Sequence, residues 1–188
     1  MILEQFQTVG RDLFARGMVS SNSGNLSIRL GDRIIITRRG CRFSSLQESD
    51  LIETGISKND RFTPLASTEL PVHRAIYQQT PALAVVHAHP PHAIALSLTE
   101  TEIVPSDAEG LSEVGQVPIL GWNVEVKPGG LADIISKALK QCRIVMVRGH
   151  GSFATGQLLE EAHNCTTMME ESCRIICLCK SLKVSPKE

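Results

Sequence analysis

Two histidines spaced one residue apart end an apolar run of the sequence, Val85-Val86-His87-Ala88-His89. Because successive side chains of a strand alternate between faces, His87 and His89 are expected to point the same way. Two imidazoles in this arrangement can bind one metal ion. The alternative is that both are strand-edge residues hydrogen-bonded to the backbone, and the spacing alone leaves both interpretations open.

His150 is the candidate third ligand. It follows the apolar run Arg143-Ile144-Val145-Met146-Val147, which predicts a buried strand, and it lies between Gly149 and Gly151. Glycines at these positions let a backbone or a ligand come close. Zinc held by three neutral histidines keeps an open coordination position, with which a metal polarises a substrate oxygen. The pairing of both histidine motifs with apolar strands therefore favours the metal site.

Glu69 is the candidate proton carrier. It follows Ser67 and Thr68 at the start of a helix predicted over 68–79, with Thr68 as the N-cap. Hydroxyl and free N–H groups at a helix start bind phosphate or carboxylate, and a glutamate near a metal moves a proton if burial raises its pKa. The local pattern by itself favours a simpler alternative, an ordinary cap followed by a first-turn acid.

Size and composition predict one globular domain over residues 1–188. The chain has 42% hydrophobic and 21% charged residues, enough for a substantial core and unlike disordered or collagen-like chains. A net charge of -1 gives no general attraction to nucleic acid or anionic membranes, so a small-molecule or protein partner is expected. The sequence shows no signal peptide and no eighteen-residue apolar run, which predicts a cytoplasmic protein.

The six cysteines fit reduced thiols better than a disulfide framework. Three of them, Cys165, Cys173 and Cys177, recur at multiples of four, which places them near one side of a helix. A zinc ribbon would instead use paired Cys-x-x-Cys motifs. We expect these three side chains to be buried as small apolar residues.

Hydrophobic periodicity predicts a single α/β domain with a mostly antiparallel sheet between helices. Besides the helix over 68–79, the pattern predicts helices over 3–16, 131–140 and 160–183, and a short helix after Pro90-Pro91. Strands are predicted over 26–30 and 33–37 as a hairpin, and over 51–54, 83–89 and 143–147.

Four short motifs occur in the order found in one family: Gly24-Asn25-Leu26-Ser27, Ser67-Thr68-Glu69, His87-Ala88-His89 and Gly149-His150-Gly151. The chain resembles the class II aldolase/adducin family over nearly its whole length, and most closely its L-fuculose-1-phosphate aldolase branch. The resemblance implies a three-layer α/β/α fold and a cyclic homotetramer with active sites at subunit interfaces. It also implies Zn²⁺ held by His87, His89 and His150, although other divalent transition metals accept three imidazoles.

The activity implied by the resemblance is that of a lyase. Such an enzyme cleaves a small sugar phosphate, for example L-fuculose 1-phosphate, through a zinc-stabilised enediolate, with Glu69 as the catalytic acid/base. Related epimerases carry aspartate at this position, so the glutamate favours an aldolase. The resemblance assigns phosphate binding to Gly24, Asn25, Gly40, Ser67 and Thr68.

Two departures from the family pattern affect substrate binding and proton donation. The loop Thr37-Arg38-Arg39-Gly40 stands where aldolases carry Thr-Pro-Thr-Gly, so Arg39 either binds phosphate or carboxylate or projects into solvent. This branch also uses tyrosines from a neighbouring subunit and a C-terminal tail as the acid, yet the one tyrosine here is Tyr77, in a predicted helix. Asp107 and Glu109 are candidate replacements, with ordinary turn residues as the alternative.

Two other functions fit the same resemblance. One is a dehydratase or decarboxylase that uses the same metal, and the other is a non-catalytic interaction module like the adducin head domain. Retention of the three histidines and Glu69 argues against the module. His73, four residues after Glu69, is interpreted as structural, and His92 and His163 as surface or helix-packing residues.

Overall fold

The computed structural model describes residues 2–20, 23–121 and 130–183. Its α-helices within these ranges are α1 (Ile2–Ala15), α2 (Leu70–Gln79), α3 (Pro91–Ser97), α4 (Gly130–Ala138) and α5 (Leu159–Ser181). Its strands are β1 (Asn25–Leu30), β2 (Arg33–Thr37), β3 (Leu51–Gly55), β4 (Ala84–Ala88), β5 (Glu102–Ile103), β6 (Val117–Leu120), β7 (Ile144–Val147) and β8 (Gly151–Gly156).

The strands form one sheet between two layers of helices. Their order is β3-β2-β1-β4-β8-β7-β6-β5, and every neighbouring pair is antiparallel except β6 and β7. Helices α1, α3 and α5 pack on one face, and α2 and α4 pack together on the other. The predicted α/β/α fold with a mostly antiparallel sheet is therefore confirmed, as is the β1–β2 hairpin.

Each face of the sheet has its own apolar core. On the α5 side, Phe6 and Leu13 of α1 pack with Cys165 and Cys173 of α5, and all four side chains are buried. Full burial of a large apolar side chain stabilises the fold by about 1.5–3 kcal/mol. The predicted burial is confirmed for Cys165 and Cys173, whereas Cys177 is only partly buried at the edge of the cluster. No helix in the described ranges is long and apolar enough to cross a membrane.

Strand β4 lies near the middle of the sheet, between β1 and β8. Its residues alternate between the two cores, so that Val86 contacts the α5 side while Val85 contacts the α2 side. By the same alternation His87 faces the α2 side. Across the sheet it is paired with Asn25 of β1 and with Phe153 of β8. The register therefore sets His87 between two neighbouring strands that can hold it.

Strand β8 was not predicted. The sequence indicates only a loop around His150, because Gly-Ser-Phe-Ala-Thr-Gly contains few β-branched residues. In the structure, Arg148–His150 form the turn of a β7–β8 hairpin, with Gly149 at φ +64°. The hairpin brings His150 back beside β4, since β8 is the direct neighbour of that strand.

Candidate metal centre

The three predicted ligands lie together at one end of β4. His87 is within the strand and His89 is one residue beyond it, with 2.9 Å between their Nε2 atoms. The His150 ring centroid lies 5.1 Å from that of His87 and 4.9 Å from that of His89. One nitrogen of each ring lies within 4.8 Å of one nitrogen of each of the other two rings. Among the described residues, these histidines are the one group of three or more side chains that could hold a metal ion.

The surroundings of His87 orient its ring. Its Nδ1 lies 2.8 Å from the carbonyl oxygen of Ser152, so Nδ1 carries the donated proton and Nε2 points into the cluster. The ring also stacks on Phe153 at a centroid distance of 4.2 Å. A Cβ atom on Gly151 would lie 2.4 Å from the Ala88 carbonyl oxygen and 3.0 Å from Cε1 of His87. Glycine is therefore needed where β8 approaches the histidines.

Glu69 lies against the same histidines. The predicted cap is wrong, since α2 begins at Leu70 and Glu69 occupies the N-cap position without a side-chain cap hydrogen bond. Ser67 supplies the local hydroxyl instead, accepting a hydrogen bond from the Glu69 N–H at 3.2 Å. The freed carboxylate turns toward the cluster, with Oε2 2.9 Å from Nε2 of His87 and Oε1 3.1 Å from Nε2 of His150.

The protonation states of the cluster suit metal binding. Burial raises the pKa of Glu69, but hydrogen bonds with His150, His87 and Asn25 outweigh burial and hold that pKa below its usual range. The sequence-based expectation was that Glu69 moves a proton if burial raises its pKa. Its pKa is lowered instead, so the carboxylate stays ionised. Burial and the neighbouring His87 and His150 lower the pKa of His89 to about 4, so His89 is neutral near pH 7. Neutral imidazole is the form that binds metals.

The donor set fits a cation. Because the Nδ1 proton of His87 is donated to Ser152, its Nε2 is the nitrogen that is available to a metal ion. This Nε2 lies 2.9 Å from a carboxylate oxygen of Glu69 and 2.9 Å from the Nε2 of His89. A carboxylate oxygen and two imidazole nitrogens this close together need a proton or a metal ion among them. Three imidazoles and a carboxylate are ligands that zinc accepts.

A cleft of about 190 Å³ opens beside the cluster. It brings together every substrate-binding residue that the sequence predicts. Its walls consist of Ser23, Gly24, Asn25, Arg38, Arg39, Gly40, Cys41, Ser67, Thr68, Glu69, His89 and His150. Gly24 is required there, because its φ is +81° and a Cβ atom would lie 2.6 Å from Val19 Cγ1. Ser23, Arg38 and Cys41 were not predicted, since nothing in their local sequence distinguishes them.

Two adjacent arginines of the cleft differ in their partners. Arg38 forms a salt bridge with the largely buried Asp50 at 2.7 Å. Arg39 is exposed, lines the cleft and has no acidic partner in the part of the chain that the structure describes. Of the two alternatives for Arg39, this placement favours a role in binding an anion over a side chain that simply projects into solvent.

The remaining candidates lie outside the cleft. Asp107 accepts a hydrogen bond from the Gly110 N–H at 2.8 Å, as a turn residue does, and Glu109 is exposed. Tyr77 is buried in α2, so its hydroxyl does not reach the cleft. Three further histidines each bond to a side chain of another element: His73 to Ser27, His92 to Glu170 and His163 to Asp12. His92 and His163 therefore pack between elements as expected, and His73 lies outside the group of potential metal ligands.

Comparison with known proteins decides the family. A family model described as Class II Aldolase and Adducin N-terminal domain matches residues 4–177. The chain belongs to this family. Among solved structures, L-fuculose-1-phosphate aldolase from Thermus thermophilus superposes with a TM-score of 0.91 and 34% identity, covering 100% of this chain and 98% of the other.

Family members of several activities resemble this class II aldolase-like chain. It is 26% identical over 185 residues to 3-oxo-tetronate 4-phosphate decarboxylase of Haemophilus influenzae, covering 94% of this chain and 87% of the relative. It is 28% identical over 187 residues to a probable bifunctional methylthioribose-1-phosphate isomerase/methylthioribulose-1-phosphate dehydratase of Nocardia farcinica, covering 88% of this chain but only 33% of that protein. L-fuculose phosphate aldolases and a β-adducin are also relatives.

Proposed function

We propose that this chain is a zinc-dependent aldehyde-lyase that cleaves a carbon–carbon bond of a small sugar phosphate such as L-fuculose 1-phosphate. His87, His89 and His150 would hold the metal, and Glu69 would carry the proton. The observation that supports this most is the carboxylate of Glu69, which lies against two of the three histidines in a cleft suited to an anion. When bound, the metal supplies an electrophile that polarises substrate oxygens.

The residues of the chain divide the remaining work. Ser67 and Thr68, with the backbone at Gly24, Asn25 and Gly40, would bind the phosphate in the cleft. In the condensation direction the ionised Glu69 would remove a proton from the carbon that forms the new bond. In the cleavage direction it would first take up a proton from solvent and then deliver it to that carbon. The acid for the aldehyde oxygen is not Tyr77, which is buried and bonded to Ser27.

A substrate panel tests the proposal. Zinc-loaded protein is assayed with ketose 1-phosphates of five and six carbons and with the same sugars without phosphate, following release of the three-carbon ketone phosphate. We expect kcat/KM for at least one phosphorylated sugar to exceed that of its unphosphorylated counterpart by about 100-fold or more, since charged hydrogen bonds contribute about 1.5–3 kcal/mol each. Absence of cleavage with every phosphorylated ketose would overturn the proposal.

A decarboxylase is the second candidate, and Arg39 is the observation that favours it. Arg39 has no acidic partner among the described residues, and it lies in the same cleft as the proposed phosphate site. Such a guanidinium suits a substrate that carries a carboxylate as well as a phosphate, and the name of the Haemophilus relative describes a substrate of this kind.

Replacing Arg39 tests its role in binding either anion: Arg39→Ala should raise KM by about 10-fold or more and Arg39→Lys by less. Arg42→Ala, an exposed neighbour outside the cleft, is the matched control. If the protein releases CO₂ from phosphorylated oxo acids and Arg39→Ala abolishes this release, the decarboxylase proposal would replace the aldehyde-lyase proposal.

We also propose a homotetramer whose neighbouring subunits complete the cleft. Two exposed leucines near the cleft support this, because a neighbouring subunit would cover them. Leu65, whose carbonyl oxygen accepts a hydrogen bond from the Arg39 N–H, is 50% exposed, and Leu98, beside Gly149, is 58% exposed. Light scattering should give four times the chain mass of 20.5 kDa, and Leu98→Glu should lower it. A wild-type monomer that remains active would contradict the proposal. The expected cytoplasmic location stays a prediction.

A further inference from the structure

We infer that a buried chain of hydrogen bonds running from Tyr77 through Ser27, His73 and Asn25 positions the carboxylate of Glu69. We call these four side chains the relay. The inference rests on the proposed role of Glu69 and deepens it, because it names the residues that aim this group. Each of the four acts through the next, so they are positioning residues.

The distances of the relay are continuous. Tyr77 Oη lies 2.7 Å from Ser27 Oγ, which lies 2.6 Å from Nδ1 of His73. Nε2 of His73 lies 2.5 Å from Oδ1 of Asn25. Asn25 then donates from Nδ2 to Oε2 of Glu69 at 2.7 Å. All five side chains are therefore connected without a gap.

The relay follows from the spacing of its residues on two elements. Asn25 and Ser27 are two residues apart on β1, so both face α2. Glu69, His73 and Tyr77 are four residues apart, which places them along one side of α2 and its first turn. The relay is buried, with exposures of 0% for Ser27 and His73, 1% for Tyr77 and 4% for Asn25, whose end of the relay lies at the cleft.

The direction of every hydrogen bond in the relay is determined by chemistry. An ionised Glu69 only accepts, so Asn25 must present its amide N–H and keep its oxygen toward His73. His73 therefore donates from Nε2–H, which in the neutral ring leaves Nδ1 as an acceptor. Ser27 must then donate its hydroxyl proton to Nδ1, and its oxygen accepts the proton of Tyr77. No member can reverse without leaving two acceptors or two donors in contact.

The states of the two titrating members agree with this direction. Burial lowers the pKa of His73 to about 3, so the ring is neutral at working pH and has one donor and one acceptor nitrogen. Burial also raises the pKa of Tyr77, so its hydroxyl stays protonated and can begin the chain. Since a buried, fully satisfied network resists rearrangement, the amide of Asn25 is held fixed under Glu69.

The first test measures the tautomer of His73 in the full-length zinc-loaded protein by ¹⁵N NMR of histidine-labelled samples. We expect Nε2 to be protonated and Nδ1 to be unprotonated. Protonated Nδ1 would overturn the inference. This readout needs no substrate, so it stands apart from the panel assay: absence of all turnover refutes the proposed function, whereas the wrong tautomer refutes the relay.

The second test compares kinetic constants of relay variants. His73→Leu should lower kcat by about 10- to 100-fold, the range typical of residues that orient an active group, with KM changed less than about 3-fold and zinc content unchanged. His73→Gln, which keeps one donor and one acceptor, should recover most of kcat. Tyr77→Phe, at the far end of the relay, should cost less than His73→Leu.

A matched control separates positioning from stability. Thr166→Val removes a fully buried hydroxyl in α5, on the other face of the sheet, whose one partner among the described residues is the Ala162 carbonyl. It should lower the melting temperature about as much as Tyr77→Phe and leave kcat unchanged. If Thr166→Val lowered kcat as much as the relay variants, or if His73→Leu raised KM rather than lowering kcat, Glu69 would not be positioned by the relay.

Discussion

Replacing Glu69 by glutamine should abolish most of the turnover and keep the metal. The amide has nearly the same shape and still accepts the Asn25 N–H, but it cannot take up and release a proton at working pH. Loss of a positioned acid/base costs about 10²–10⁴-fold in rate, and we expect kcat to fall by about 10³-fold. The three histidines are unchanged, so the zinc content of purified protein, measured by inductively coupled plasma mass spectrometry, should stay near one per chain.

Glu170→Gln is the matched control for this experiment. Glu170 is also a largely buried carboxylate that contacts a histidine, with Oε1 2.7 Å from Nδ1 of His92 and N–H groups of α3 as further partners. It lies outside the cleft, so its replacement should lower stability without changing kcat. If Glu69→Gln retained wild-type turnover on every cleavable substrate, Glu69 would not be the proton carrier.

The role of Glu69 shows where local sequence reasoning fails. Ser67-Thr68-Glu69 before an apolar helix has the composition of an ordinary cap, and most such glutamates stay in the first turn. In the structure the helix begins at Leu70 and Ser67 bonds to the Glu69 backbone, which leaves the carboxylate free. The carboxylate lies against His87 and His150, and those residues are far away in the sequence.

The histidine cluster was predictable because its signals are local. The one-residue spacing of His87 and His89 fixes a common direction, and the apolar run before them fixes a strand. The approach of His150 was predictable only as a possibility, since it depends on β8, whose small residues carry little strand preference. The direction of the His73 hydrogen bonds is likewise invisible in sequence, because it depends on partners from β1.

Removing one histidine of the cluster should abolish metal binding and with it a part of the stability of the protein. A ligand that binds only the folded state stabilises it by about 2.7 kcal/mol at one hundred times its Kd. For a chain of this size that corresponds to roughly 5–11 °C in melting temperature. Chelation should therefore lower the melting temperature of the wild type by about this amount and leave that of His87→Ala unchanged.

His87→Ala also lowers stability in a second way, which does not depend on the metal. The ring is fully buried and stacked on Phe153 at 4.2 Å, so its removal also leaves a cavity that lowers stability with or without metal. His150→Ala avoids this, since the His150 side chain is 41% exposed and lies in a turn. It should lose the metal response with little change in the metal-free melting temperature.

His163→Ala is the control histidine, because His163 pairs with Asp12 between α1 and α5, away from the cluster, and the variant should keep the full response to chelation. The change in melting temperature on chelation, rather than the melting temperature itself, thus reports whether the site holds a metal ion. A wild-type protein that carries no divalent metal after loading, or a His150→Ala variant with a wild-type response, would mean that the three histidines are held together by their hydrogen bonds and by a shared proton. In that case Glu69 would have no electrophile beside it, and the lyase and decarboxylase proposals would both fail.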